Sequence, residues 1–274
     1  MVRMQQYKLF ILLIQAVCLF HFGMAGFERT AQPTSAFARA FSGVAMQTES
    51  NIWLNPASLS SLSSFHSSIF YSPSPFQLSQ LTNYGLLLAD DFGVVRAGAA
   101  VSSFGFSLYR ETTGSLTIAN KDLKDFGAGI TLSFYHLSIA EYGSALAVAL
   151  DAGVIYSLNE KLNIGAAMNN VSGASFGGDD DVPQTILAGI SYRVIDNALV
   201  NVDLVKDIRY EPTYRASVEF LPHDIVTIRT GIQGEPSRIF GGVGITIVPF
   251  TVEYGIATHD ELGLTHSIGI SFTP

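Results

Sequence analysis

The chain has 274 residues, of which 48% are apolar and only 14% charged, and its net charge is −8. Soluble domains usually carry about 25% charged residues, so much of this surface is not built to face water. The 15 Lys and Arg are scattered, which excludes a nucleic-acid partner. The single cysteine, Cys18, excludes disulfides and thiolate metal sites from a chain that has lost its N-terminal segment.

Residues 1–25 have the pattern of a cleavable signal peptide: Arg3 and Lys8, a mostly apolar run from Leu9 to Phe22, then Gly23-Met24-Ala25 with small residues at −3 and −1 of the cut. Gln15 and His21 break the run and argue against an anchor. Val17 stands before Cys18 where a lipoprotein signal takes a small residue. Residues 26–63 are rich in Ala, Ser and Thr and do not alternate. A short helix is predicted over Ala36 to Ala45. Asn55-Pro56-Ala57 then breaks the chain, because proline restricts the residue before it and cannot donate. This segment is expected to form a hatch or plug ahead of a barrel at 64–274, with Trp53 packed beside the break.

No internal stretch approaches the roughly 20 apolar residues of a spanning helix. Strands are predicted instead at Phe65 to Tyr71, Tyr84 to Ala89, Val94 to Val101, Phe104 to Tyr109 and Phe126 to Tyr135, with a hairpin at Ser102-Ser103 left open. From Ala145 onward the period of two is plain: Leu146, Val148, Leu150, Val154 and Tyr156 alternate with Ala145, Ala147, Ala149, Asp151 and Gly153. The pattern recurs to Phe272. Tight links at Asn159-Glu160, Asp196-Asn197, Leu221 to Asp224 and Val248-Pro249 alternate with longer ones such as Asn170 to Gln184, as in a barrel with periplasmic turns and outer loops. A soluble β-sandwich shares the alternation. The small, glycine-rich polar face and the scarcity of Lys favour the membrane. The expected fold is all-β, a transmembrane antiparallel barrel of about 12–14 strands with a short N-terminal hatch, in the bacterial outer membrane.

Asp151, Arg193, Asp203, Arg215, Glu219, Arg229 and Glu253 share the small-residue parity and are expected to point into the lumen. Charges there need partners. A structural network tying wall to hatch is expected, and a selectivity-tuning channel lining is the alternative. Asp179-Asp180-Asp181 reads as a solvated loop tip, since no calcium-loop spacing accompanies it. The histidines show no metal-ligand spacing, and His259, Asp260 and Ser267 lack the context of a catalytic triad. No catalytic residue, metal or cofactor is predicted, and the chain is not expected to be an enzyme. Tyr71, Tyr109, Tyr135, Tyr156, Tyr192, Tyr210 and Tyr254 are candidates for interfacial girdles.

The run from Ala36 through Gly43 to Ala45, followed by Ile52-Trp53-Leu54-Asn55-Pro56-Ala57-Ser58-Leu59, resembles the opening of FadL-superfamily outer-membrane proteins, most of all their PorV/PorQ-type branch. Segments 149–156, 162–170 and 252–268 resemble the same branch. The resemblance implies a hatch inside a barrel of about 14 strands. It also implies a role in type IX secretion or surface attachment, with secretion-system or exported proteins as partners. The alternative is uptake of small hydrophobic ligands; outer-membrane lipid is a partner either way. The chain is shorter than typical members and ends on Pro274 rather than an aromatic, with Phe272 two places earlier.

Overall fold

The computed structural model describes residue 27 and residues 32–121, 123–177, 181–259 and 262–274. Residues 1–25, over which a signal peptide is expected, and Asp179, Asp180 and Asp260 lie outside the described residues. Fourteen antiparallel strands close into a barrel, each paired with its neighbours in sequence and the first with the last. They are β1 His66–Ser72, β2 Asn83–Asp91, β3 Val95–Gly105, β4 Tyr109–Asn120, β5 Phe126–Ile139, β6 Gly143–Asn159 and β7 Leu162–Asn169. The circuit continues through β8 Thr185–Ile195, β9 Ala198–Asp207, β10 Thr213–His223, β11 Val226–Gln233, β12 Arg238–Ile247, β13 Phe250–His259 and β14 Gly263–Phe272. Inside it lie a short helix, α1 (Thr34–Ala38), and 3-10 turns at Glu49–Asn51 and Pro56–Ser61.

Burial decides between the membrane and the soluble alternatives. On β6 the large residues are the exposed ones, with Leu146 62% accessible, whereas Ala149 is 1% accessible and faces the lumen. The same inversion runs round the wall through Ile190, Leu204, Ile228, Ile245 and Ile270. Burying such a side chain away from water is worth about 1.5–3 kcal/mol, so this exterior is stable only against hydrocarbon. The fold is a transmembrane β-barrel.

Links at 92–94, 160–161, 196–197, 224–225 and 248–249 sit on one rim, taken as periplasmic, and the long links 73–82 and 170–184 on the other, taken as outer. The division is not strict, because 121–125 on the periplasmic rim exceeds 106–108 on the outer one. Three register shifts, at Ser157/Asn159, Arg193/Ile195 and Phe220/His223, all fall at the periplasmic rim, where bulges turn strands out of the sheet.

The structure settles one open point, adds one strand and corrects one expectation. No hairpin forms at Ser102-Ser103: β3 runs through both, with Ser102 paired to Gly85 and Thr113, and Ser103 to Tyr84 and Thr112. The chain turns later, after Gly105, whose φ of +104° suits a residue without Cβ. β4 was not anticipated, because Arg110, Thr112 and Gly114 put no large apolar group on its outward face before Leu116 and Ile118. The helix expected over Ala36 to Ala45 stops at Ala38. Ala40 and Phe41 take φ values of +56° and +55°, where the backbone lies against Gly231 of the wall; packing overrides helix propensity there.

Candidate functional site

Residues 32–62 fill the lumen. α1 packs on β11 to β14, and the 3-10 turn Pro56–Ser61 packs on β3 to β6. The wall accommodates them by omitting side chains. A Cβ on Gly129 would come within 2.5 Å of the Pro56 backbone, and one on Gly153 within 1.9 Å of Asn55 Oδ1. Gly165 receives the Ala45 backbone and Gly231 that of Arg39 in the same way. Asn55 is the fixed point. Its Oδ1 accepts from the Ala57 N–H at 3.0 Å, capping the turn. Its amide donates to Val44 O at 2.7 Å and to Val154 O on β6 at 3.2 Å. Pro56 occupies the first helical position, where no N–H is needed, and Ala57 is fully buried.

The structure brings three of the predicted lumen charges into one chain and attaches a fourth charge from the hatch. Glu219 and Arg229 are cross-strand partners, with Nε to Oε2 at 2.6 Å. Arg229 Nη1 then crosses β12 to Glu253 Oε1 at 2.9 Å. It can do so because Gly242 and Gly244 stand between, and a Cβ on Gly244 would lie 3.1 Å from that nitrogen. Arg39 of the hatch donates to Glu219 Oε2 at 3.1 Å and to Ser50 and Asn51. The signs alternate along the whole chain, so each buried charge has an opposite neighbour.

The remaining predicted positions do different things. Asp203 Oδ2 accepts from the backbone N–H groups of Gly43 and Val44, at 2.7 and 3.0 Å. Arg215 Nη1 donates to Phe41 O at 3.3 Å and its guanidinium lies over the Phe41 ring. Asp151 accepts from Ser133 and from the Asn170 N–H, tying β5 and β6 to the 170–184 link rather than to the hatch. Arg193 is exposed at the periplasmic rim and joins no ion pair among the described residues.

The hatch divides the lumen into two chambers. The outer one holds about 300 Å³ and is lined by Phe37 and Phe41 of the hatch, Phe70 and Phe104 of the wall, and Phe76 of the 73–82 link. Arg238 stands at its edge, 5.2 Å from the Phe76 ring and 4.9 Å from that of Phe240. The periplasmic chamber, about 480 Å³, is polar: Arg39, Glu49, His66, Glu219, Arg229 and Glu253 face it among many hydroxyls. α1 and the residues after it present Phe37 and Phe41 upward, and Ser35 and Arg39 downward. A cavity of about 40 Å³ beside Phe104 and Glu111 continues the outer chamber towards Phe27, whose N–H donates to Glu111 Oε2 at 2.9 Å.

Sequence reasoning missed Arg39 and the phenylalanines. Both left a signal: Arg39 is a lone charge in a small-residue run, and Phe70 and Phe104 interrupt the small parity of their strands. Tyr135 is corrected from girdle to lumen, since it is 3% accessible and meets Phe27 edge-on at 5.2 Å. Tyr71, Tyr156, Tyr192, Tyr210 and Tyr254 are exposed. Trp53 packs edge-on against Phe70 of β1 at 5.9 Å. His259 packs against Phe76, and Ser267 Oγ pairs with Thr34 Oγ1 at 2.8 Å. No group of three potential metal ligands occurs among the described residues.

No protein-family model matches the sequence, and no curated protein matches it. Solved structures do match in fold. The CymD monoaromatic hydrocarbon channel superposes with a TM-score of 0.71 at 13% identity, covering 91% of this chain and 99% of that one. The Ralstonia pickettii toluene transporter TbuX gives 0.64 at 13% identity over 92% of this chain and 98% of its own. A Pseudomonas aeruginosa FadL homologue gives 0.59 at 10% identity over 88% and 98%. The chain has the fold of these FadL-type outer-membrane barrels, nearly end to end.

Proposed function

We propose that the protein is an outer-membrane channel that takes up small hydrophobic molecules, exported by way of the signal peptide at residues 1–25. The observation that carries this reading is the outer chamber: five phenylalanine rings around about 300 Å³, reached from the outer rim and floored by the hatch. An apolar cavity with a few polar groups at its margin suits a small apolar ligand. Aromatic rings favour edge-on and offset contacts with a further ring, and the existing Phe37, Phe41 and Phe240 contacts at 5.5–5.8 Å show the spacing such a ligand would meet. The CymD and TbuX likeness supports the same class of cargo.

The charge chain, on this reading, serves to seat the hatch rather than to select ions, because its members neutralise one another. The secretion role implied by the PorV/PorQ resemblance has less support. The longest outer link, 170–184, folds inward, with Phe176 stacked on Phe27 at 5.0 Å and Val182 buried against the wall, and so offers little platform for an exported protein.

Crystals of the protein grown with 4-bromotoluene test the proposal through the anomalous signal of bromine. The expected peak lies among Phe37, Phe41 and Phe76 and disappears in Phe41→Glu. No peak in the chamber, or an equal one in the variant, would sink the channel reading.

A further inference from the structure

The lipid-facing wall carries few polar side chains among the described residues, with Lys206 on β9 and His266 beside Tyr254 on β14 and β13, and one group of them lies on β4 and β5. Arg110 is the sole arginine on the outward parity among the described strand residues; its neighbour Glu111 is buried in the lumen while Arg110 is exposed. His136 is exposed on the outward face of β5, opposite Thr112, which in turn opposes Ser103. One cross-strand row therefore reads Tyr84, Ser103, Thr112, His136, and Arg110 stands in the next row up, opposite Ser138. The side chains of Arg110 and His136 form no ion pair among the described residues, and Glu141 in the adjoining turn pairs with neither.

Directly below this row the wall is hollowed. Leu86, Val101, Gly114 and Phe134 form one row, and Leu88, Ala99 and Leu116 the next. Gly114 and Ala99 withhold the bulk that other outward positions carry, and nothing lies within 4 Å of where the Gly114 Cβ would be. The result is an apolar groove of about 320 Å³ open to the membrane.

The height fits a lipid. Arg110 is ten residues along β4 from its periplasmic end at Asn120, and His136 ten residues along β5 from Phe126. At about 3.4 Å per residue and a tilt of roughly 40°, ten residues rise about 26 Å, close to the roughly 25 Å of a barrel's apolar band. Arg110 and His136 thus stand at the outer headgroup level, with hydroxyls beside them and an acyl-sized groove beneath. A guanidinium without a protein partner at that level is matched by phosphate, which it binds through two parallel hydrogen bonds.

We propose that this face of β2 to β5 binds one phosphate-bearing lipid of the outer leaflet, its phosphate on Arg110 and His136 and one acyl chain in the groove over Gly114 and Ala99. The site is separate from the lumen and does not depend on what the channel carries.

The test is native mass spectrometry of the full-length processed barrel in mild detergent, with equal amounts of dioleoyl phosphatidic acid and dioleoyl phosphatidylcholine. Phosphatidic acid is expected to be retained about tenfold better, because only its phosphate is uncovered. Arg110→Gln combined with His136→Gln is expected to remove that preference. Gly114→Leu is expected to weaken phosphatidic acid about tenfold with Arg110 and His136 intact, and it decides the matter if the double variant fails to fold. Equal retention of the two lipids by the native protein overturns the proposal. So does an unchanged preference in the double variant, or unchanged binding in Gly114→Leu.

Discussion

The two chambers on either side of the hatch are built on opposite principles. Below, the hatch is held by directed contacts: the chain from Arg39 through Glu219 and Arg229 to Glu253 fixes charges at single distances and angles. Above, it is held by rings that touch at 5.5–5.8 Å and have several acceptable arrangements. A directed network loses most when one member goes, because the others stay buried and charged. Ring packing degrades more gradually when volume is nearly kept. The difference teaches that the periplasmic side is suited to fixing the hatch and the outer side to accommodating a guest.

The largest expected effect breaks the lower chamber. Arg229→Ala leaves Glu253 without an ion pair and Glu219 with Arg39 alone, and should destabilise the folded barrel by about 3–5 kcal/mol in urea titrations. Phe37→Leu in the upper chamber should cost under about 1.5 kcal/mol in the same titration. If the two changes cost the same, the contrast between directed and packed anchoring is wrong.

A smaller effect is expected at the junction of the chambers. Asn55→Ala removes three hydrogen bonds from a fully buried position and leaves Val44 O short of a donor, at a cost of about 2–3 kcal/mol. Arg39 is 1% accessible, so trypsin cleavage after it reports departure of the hatch. Cleavage should quicken by about 30- to 150-fold when opening is fast relative to cutting. Asn55→Asp should not rescue, because it keeps the cap on Ala57 and sets a carboxylate against two carbonyl oxygens. Rescue by Asp would reduce the residue to a turn cap.

How much of this was legible in the sequence follows from which interactions are local. The parity of β6 to β14 was plain because lipid demands a large apolar residue at every second position. β4 was not, because Gly114 and Thr112 leave that demand unmet over half the strand. The inward direction of the lumen charges followed from the same parity. The pairing of Glu219, Arg229 and Glu253 did not, since it depends on register and on two glycines of β12. Arg39 lies 180 residues from Glu219, a separation no periodicity reports. The outer chamber was least legible, because its rings come from the hatch, two strands and a link.

The smallest expected effect concerns the hatch backbone itself. Asp203 grips it through one oxygen, Oδ2, which takes both the Gly43 and Val44 N–H groups. Asp203→Asn keeps an acceptor there and loses only the charge, so each bond changes from charge-assisted to neutral. The expected loss is about 1 kcal/mol, or about fivefold faster tryptic cleavage at Arg39. Asp203→Leu removes the acceptor and leaves two buried N–H groups unmet, and should exceed the Asn change by at least about 1 kcal/mol. Equal rates for Asn and Leu would mean that the hatch is held by the fit of its backbone over Gly165 and Gly231, with the carboxylate contributing nothing of its own.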